Sequence, residues 1–139
     1  MRSAAWCGAL MLIALATPGI PGEAHAHKPH LDVRVTPRMA LPPVEVLVVA
    51  ELVGGEDLEE FYCPGLEWDW GDGTKSFHES DCAPYEAGTK VRRLYSARHA
   101  YFQPGRYSVR VRLVRAERGV ASAQTSLLLG GAAMASRWE

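Results

Sequence analysis

From residue 31 to residue 129 the chain alternates apolar and polar residues with a period of two, and nowhere sustains the 3.6-residue period of an amphipathic helix. Leu31-Asp32-Val33-Arg34-Val35 alternates strictly until Pro37 stops it, which predicts a first edge strand. Beyond Pro42-Pro43, the run Val44 to Leu52 is rich in β-branched residues and ends at Gly54-Gly55, as a half-buried strand does. Residues 53 to 65 are acidic and glycine-bearing and read as a long loop. Leu66, Trp68 and Trp70 then share one face while Glu67 and Asp69 take the other, predicting a core strand with an acidic outer side. Asp72-Gly73 suits a tight hairpin turn, and Lys75 to His78 returns as its partner. After a second loop at 79 to 89, Lys90 to Tyr95 reads as a strand and His99 to Gly105 as a corner. Tyr107, Val109, Val111 and Leu113 point inward and Ser108, Arg110 and Arg112 outward along the next strand. Arg118-Gly119 marks a turn, and Val120 to Leu129 is the last strand, pairing with the one before it.

These segments amount to about seven short strands divided by turn signals, which predicts an all-β fold: a single immunoglobulin-like β-sandwich over 31–129. A chain of 139 residues has room for one such domain. Ahead of it, Arg2, the apolar stretch Trp6 to Ala16, the breakers Pro18 to Gly22 and the small-x-small triplet Ala24-His25-Ala26 read as a signal peptide over 1–26. Its apolar part is far shorter than the roughly 20 residues of a membrane-spanning helix, so the expectation is a secreted or periplasmic protein without a transmembrane anchor. Residues 27–30 form a short N-terminal segment and 130–139 a small, polar, flexible tail. Cys7 leaves with the signal, and the remaining pair, Cys63 and Cys82, is expected to form a disulfide. Closing that loop contributes about 3 kcal/mol in the chain-entropy model. A metal-thiolate site is the competing use, but no Cys-x-x-Cys pair supports it.

The net charge is −1, which offers no electrostatic case for nucleic acid. Charge is nonetheless segregated along the chain. Residues 51 to 86 hold eleven Asp and Glu against Lys75 alone, and residues 87 to 118 hold nine Lys and Arg against Glu117 alone. Arg106, Arg110 and Arg112 fall on one side of a strand, with Arg92, Arg93 and Arg98 nearby in sequence. Guanidinium groups so placed suit carboxylate or phosphate recognition; the plainer reading pairs them with acids on a neighbouring strand. If cleavage follows Ala26, the free amine and imidazole of His27, with His30 close by, form a candidate copper site, against the ordinary reading of scattered surface histidines. No Gly-x-Ser-x-Gly elbow or phosphate-binding glycine loop is present.

Two runs carry a family resemblance. Trp68-Asp69-Trp70-Gly71-Asp72-Gly73, followed some thirty residues on by His99-Ala100-Tyr101-Phe102-Gln103-Pro104-Gly105-Arg106-Tyr107, closely resembles the paired hallmarks of the polycystic-kidney-disease (PKD) domain. The resemblance implies structural roles: Trp68 filling the core between two sheets, His99 capping backbone, the Tyr101 hydroxyl bonding nearby main chain, and Pro104-Gly105 turning into the strand that begins near Tyr107. It further implies a non-catalytic interaction module with no cofactor, contacting an extracytoplasmic protein or carbohydrate. In this chain the Gly/Ser/Asp-rich loop usual before the first hallmark is replaced by residues 54–65, and a cysteine pair is added. Some relatives bind calcium partly through that loop, and here Glu56, Asp57, Glu59 and Glu60 supply oxygen ligands of the right kind, or an ordinary acidic surface.

Overall fold

The structure is a computed structural model that describes residues 27–131. The signal peptide expected at 1–26 and residues 132–139 of the expected tail lie outside the described residues. The elements are β1 (His30–Thr36), β2 (Met39–Ala40), β3 (Val44–Val53), a 3₁₀ turn at Glu59–Phe61, β4 (Gly65–Asp69), β5 (Lys75–His78), β6 (Leu94–Tyr101), β7 (Gly105–Arg115) and β8 (Arg118–Leu129).

The strands form two sheets, one in the order β1-β3-β6 and the other in the order β2-β8-β7-β4-β5. Every pairing is antiparallel except β2 with β8. The period-two pattern explains the layering, because successive side chains leave opposite faces of a strand. Val33, Val35, Val46, Val48, Ala50 and Leu52 from the first sheet meet Leu66, Trp68, Val109, Val111, Leu113, Leu127 and Leu129 from the second in one buried cluster. The arrangement is all-β and consistent with a sandwich.

Two sides of the molecule differ. On one, the first edge strand changes sheets: β1 leaves β3 at Thr36, and after Pro37 the Arg38 and Ala40 carbonyls accept from the amides of Leu128 and Gly130, both at 2.9 Å. That stitch closes the side. It also ties down Gly130, the first residue of the expected flexible tail. On the other side β5 and β6 end their respective sheets, and no ladder joins them among the described residues.

Four local expectations need correction. The strand expected at Lys90–Tyr95 instead spans Leu94–Tyr101, because pairing with β3 begins at Glu51↔Leu94 and continues to Val44↔Tyr101. The expected corner at His99–Gly105 shrinks accordingly to Phe102–Pro104. The last hairpin turns at Ala116-Glu117, both left-handed (φ 48° and 63°), so Arg118 already pairs with Arg115. The turn between β4 and β5 takes three residues, Gly71-Asp72-Gly73, closed by the Trp70 amide on the Thr74 carbonyl at 3.1 Å. β2 is a strand that periodicity does not reveal, since two residues define no period.

Candidate functional site

The two hallmark runs meet in space and are spent on one another. Trp68 and Trp70 are buried side by side, ring centroids 5.8 Å apart and nearly parallel. His99, on β6 of the opposite sheet, stacks on Trp70 at 4.4 Å with its plane 6° away. Its Nε2 lies 2.7 Å from Asp72 Oδ2 in the turn after β4. His99 therefore holds a side-chain carboxylate, not the backbone expected for it. The Tyr101 hydroxyl donates to the Trp70 carbonyl at 2.7 Å, a buried bond to main chain that is near in space but 31 positions away in sequence. Tyr107 lies against Tyr101 and donates to the Gln103 carbonyl at 2.8 Å.

The acidic members are equally occupied. Asp69 Oδ1 accepts from the Gly71 amide at 3.1 Å, and Asp72 Oδ1 accepts from the Thr74 amide and hydroxyl at 2.9 and 2.6 Å. Partial burial opposes ionisation of Asp72, but the hydrogen bonds from Thr74 and His99 outweigh it and hold the carboxyl below its ordinary 3.8. An ionised carboxylate only accepts, so His99 Nε2 is the donor in their bond. Burial first, then the nearby Asp72, Tyr107 and Asp69, pushes the Tyr101 phenol far up, leaving it a permanent donor. Gly71 is required where it stands: at φ 76° a Cβ would lie 2.5 Å from the Ser108 carbonyl oxygen of β7.

The outward arginines do not form one patch. Arg112 pairs with Glu67 at 3.2 Å on the neighbouring strand, and Glu67 and Asp69 also face Lys75, each at 3.5 Å. Arg110 reaches Gln124 at 3.4 Å. Arg106 and Arg110 have no acidic partner among the described residues. Arg92 lies elsewhere, just ahead of β6 in the other sheet.

Two arginines perform work that composition does not reveal. Arg93 donates to the Gly54 and Gly55 carbonyls at 2.7 and 3.3 Å and to Asp57 Oδ1 at 2.9 Å. Arg115 donates to the carbonyls of Glu59 and Tyr62, with its guanidinium over the Tyr62 ring. Together they staple the acidic loop from two sides, and the Cys63–Cys82 disulfide ties its end to the second loop, with Cα atoms 6.1 Å apart. Lys90 and Arg93 hold the Asp57 carboxyl below its ordinary value. Glu59 faces Arg115 and Glu60 faces Lys28 at 2.9 Å. Asp57, Glu59 and Glu60 thus turn to different cations, Asp57 to two of them. The His27 carbonyl accepts from the Glu56 amide at 3.0 Å, while His30 opens β1 on its exposed face. Among the described residues no group of three or more His, Cys, Asp or Glu converges as a metal site.

No family model matches the chain, and no curated protein matches it. No helix of the described residues is long and apolar enough to cross a membrane.

The open side of the molecule forms a cavity of about 370 Å³. Leu66, Trp68 and Trp70 lie on its β4 side, Ser76, Phe77 and His78 along β5, and Tyr95, Ser96, Ala97 and Arg98 along β6, with Arg92 at one end. The Trp70 indole donates to Ser76 Oγ at 2.9 Å. Arg92 is fixed there: its Nε donates to the Leu94 carbonyl at 2.9 Å, and its guanidinium sits 5.3 Å from the Tyr95 ring centroid.

Proposed function

We propose that this protein is an exported, PKD-type, immunoglobulin-like module that catalyses nothing and works by contacting an extracytoplasmic protein or carbohydrate. The observation that carries this reading is the full commitment of the hallmark groups. Asp69, Asp72, His99 and Tyr101 have the types a catalytic centre uses, yet each is engaged in holding a turn or joining the two sheets. A general acid or base has to reach a proton on a substrate, whereas Asp69, Asp72, His99 Nε2 and the Tyr101 hydroxyl are bonded within the protein. Export is supported by the leader-like N-terminal sequence and by a disulfide, which persists in oxidising compartments.

The test uses the mature secreted protein. N-terminal mass analysis is expected to find His27 first. Affinity electrophoresis through gels containing acidic or neutral polysaccharides, and retention on immobilised secreted proteins, are expected to show retention without release of fragments. Turnover that disappears in Asp72→Asn while the melting temperature holds would overturn the reading, as would absence of retention by every partner tried.

A further inference from the structure

The open side of the molecule is bounded by two strand edges whose main-chain groups have no ladder partner. The Leu52 amide donates to the Arg93 carbonyl at 2.8 Å, which fixes the phase of the β3–β6 ladder. In an antiparallel pair, alternate residues exchange both bonds with the partner strand. Tyr95, Ala97, His99 and Tyr101 therefore bond to β3, and Leu94, Ser96, Arg98 and Ala100 direct their N–H and C=O groups away from it. β5 alternates in the same way. The Trp70–Thr74 bond sets the phase, so Ser76 and His78 bond to β4, and Phe77 directs its main-chain groups to the open side. The cavity between these edges is lined by Phe77, Ser96 and Arg98 among others.

We propose that this mouth is a vacant strand position on β6, filled by an extended segment of a partner protein in which apolar and acidic residues alternate. The proposal rests on the interaction-module reading and names its ligand. A strand added about 4.8 Å from β6 pairs with the unsatisfied groups of Ser96, Arg98 and Ala100. Its side chains then alternate between two environments. One set enters the gap between the sheets, where Leu66, Trp68, Tyr95 and the small Ala97 form an apolar floor. The other set lies on the outer face beside Arg98, whose present partner, Glu45, sits at 3.0 Å on its far side with both groups largely exposed.

Charge selects the outer set. The edge strand offers Arg98 on that face and Arg92 at its end, Arg92 has no acidic partner among the described residues, and the acids of that face, Glu45 and Glu51, sit one strand further from the mouth on β3 and already meet Arg98 and Arg34. An acidic side chain there gains an opposite-charge cross-strand neighbour, whereas a basic one meets like charge. The same rule disfavours a second copy, whose own β6 would bring its Arg92 and Arg98 to this edge. Arg92 also limits the site, because its Nε already occupies the Leu94 carbonyl and so leaves Ser96 to Ala100 as the pairing stretch.

The test is amide hydrogen exchange, read by NMR on the mature oxidised protein, with a short synthetic peptide alternating Val and Glu. At about ten times its Kd, exchange at Ser96, Arg98 and Ala100 is expected to slow about tenfold. N-methylation of the peptide at the bonding amides, which leaves the protein untouched, is expected to abolish the effect. The doubly reversed Arg92→Glu, Arg98→Glu protein is expected to weaken it. The inference is overturned if those amides gain no protection, or if a Val–Lys peptide protects them equally. It is also overturned if they are protected in the free protein and lose protection on dilution, which assigns the edge to a second copy. An acidic polysaccharide that displaces the peptide and binds there more tightly overturns it as well. These failures leave the module reading standing, because that reading falls on turnover or on absence of any retention.

Discussion

Replacing Tyr101 by Phe removes one oxygen atom at the point where the two hallmark runs are joined. The hydroxyl is buried and donates to the Trp70 carbonyl at 2.7 Å, and Trp70 itself is 1% exposed. Removing the donor leaves that carbonyl buried without its partner. A net hydrogen bond contributes about 1 kcal/mol, and stranding a buried acceptor adds a desolvation cost of similar or greater size, so the substitution is expected to cost about 2 kcal/mol. An unfolding entropy of about 2.1 cal/mol/K per residue gives roughly 0.2 kcal/mol/K for a domain of this size, so Tm falls by about 9 °C. Tyr107→Phe is the control. Its hydroxyl also donates to a carbonyl, that of Gln103 at 2.8 Å, but that bond is exposed and water replaces it. Its expected cost is within about 0.5 kcal/mol, roughly 2 °C. Calorimetry of the oxidised proteins reads both. Equal shifts, or a Tyr101→Phe loss below about 3 °C, refute the claim that this hydroxyl joins the sheets.

Three further outcomes follow from the same contacts. Arg93→Met removes the donors that hold Gly54, Gly55 and Asp57, so amide exchange across residues 54–58 is expected to quicken well before global unfolding, at a cost of about 1 to 3 kcal/mol. Replacing Cys63 and Cys82 together by Ser is expected to cost about 3 kcal/mol, read as a lower denaturant midpoint than the oxidised protein shows. Asp72 has a folded pKa below its unfolded value, so its contribution is fully present above the unfolded value and disappears as pH falls through the folded one. Stability of the wild type is expected to fall more steeply than that of Asp72→Asn between roughly pH 5 and 2, and parallel acid limbs would refute the assignment.

How far the sequence discloses all this depends on what kind of partner each residue has. β3, β4 and β7 were legible because their inward residues are large and apolar and their outward ones polar, so the period is plain. β6 is displaced because its inward positions are Tyr95, Ala97, His99 and Tyr101: a small residue and an imidazole hide the alternation, and the imidazole packs on Trp70, just past β4. The disulfide is legible since the two cysteines beyond residue 26 leave one pairing. Arg93 and Arg115 were not legible as loop clamps. Their acceptors are mainly carbonyls 38 to 56 positions away, and every residue carries a carbonyl. The outward arginines of β7 were correctly placed on one face, but only the register Glu67↔Arg112 shows that Arg112 is already paired. The mouth between β5 and β6 has no sequence signature, because which strands end a sheet is a property of topology.

The segregated charge has a consequence for the chain before it folds. Residues 51–86 carry a net charge of −10 and residues 87–118 a net charge of +8. Asp57 meets Lys90 and Arg93, Glu59 meets Arg115, and Glu67 meets Arg112, so native ion pairs run from the first block to the second. The unfolded chain is thus a two-block polyampholyte whose halves attract, and its denatured ensemble is drawn toward the loop closures that the native state needs. Salt that shortens the Debye length to about 3 Å at 1 M removes that attraction. Exposed ion pairs add little to the finished structure, so the larger effect of salt is on how readily the chain finds its own second half.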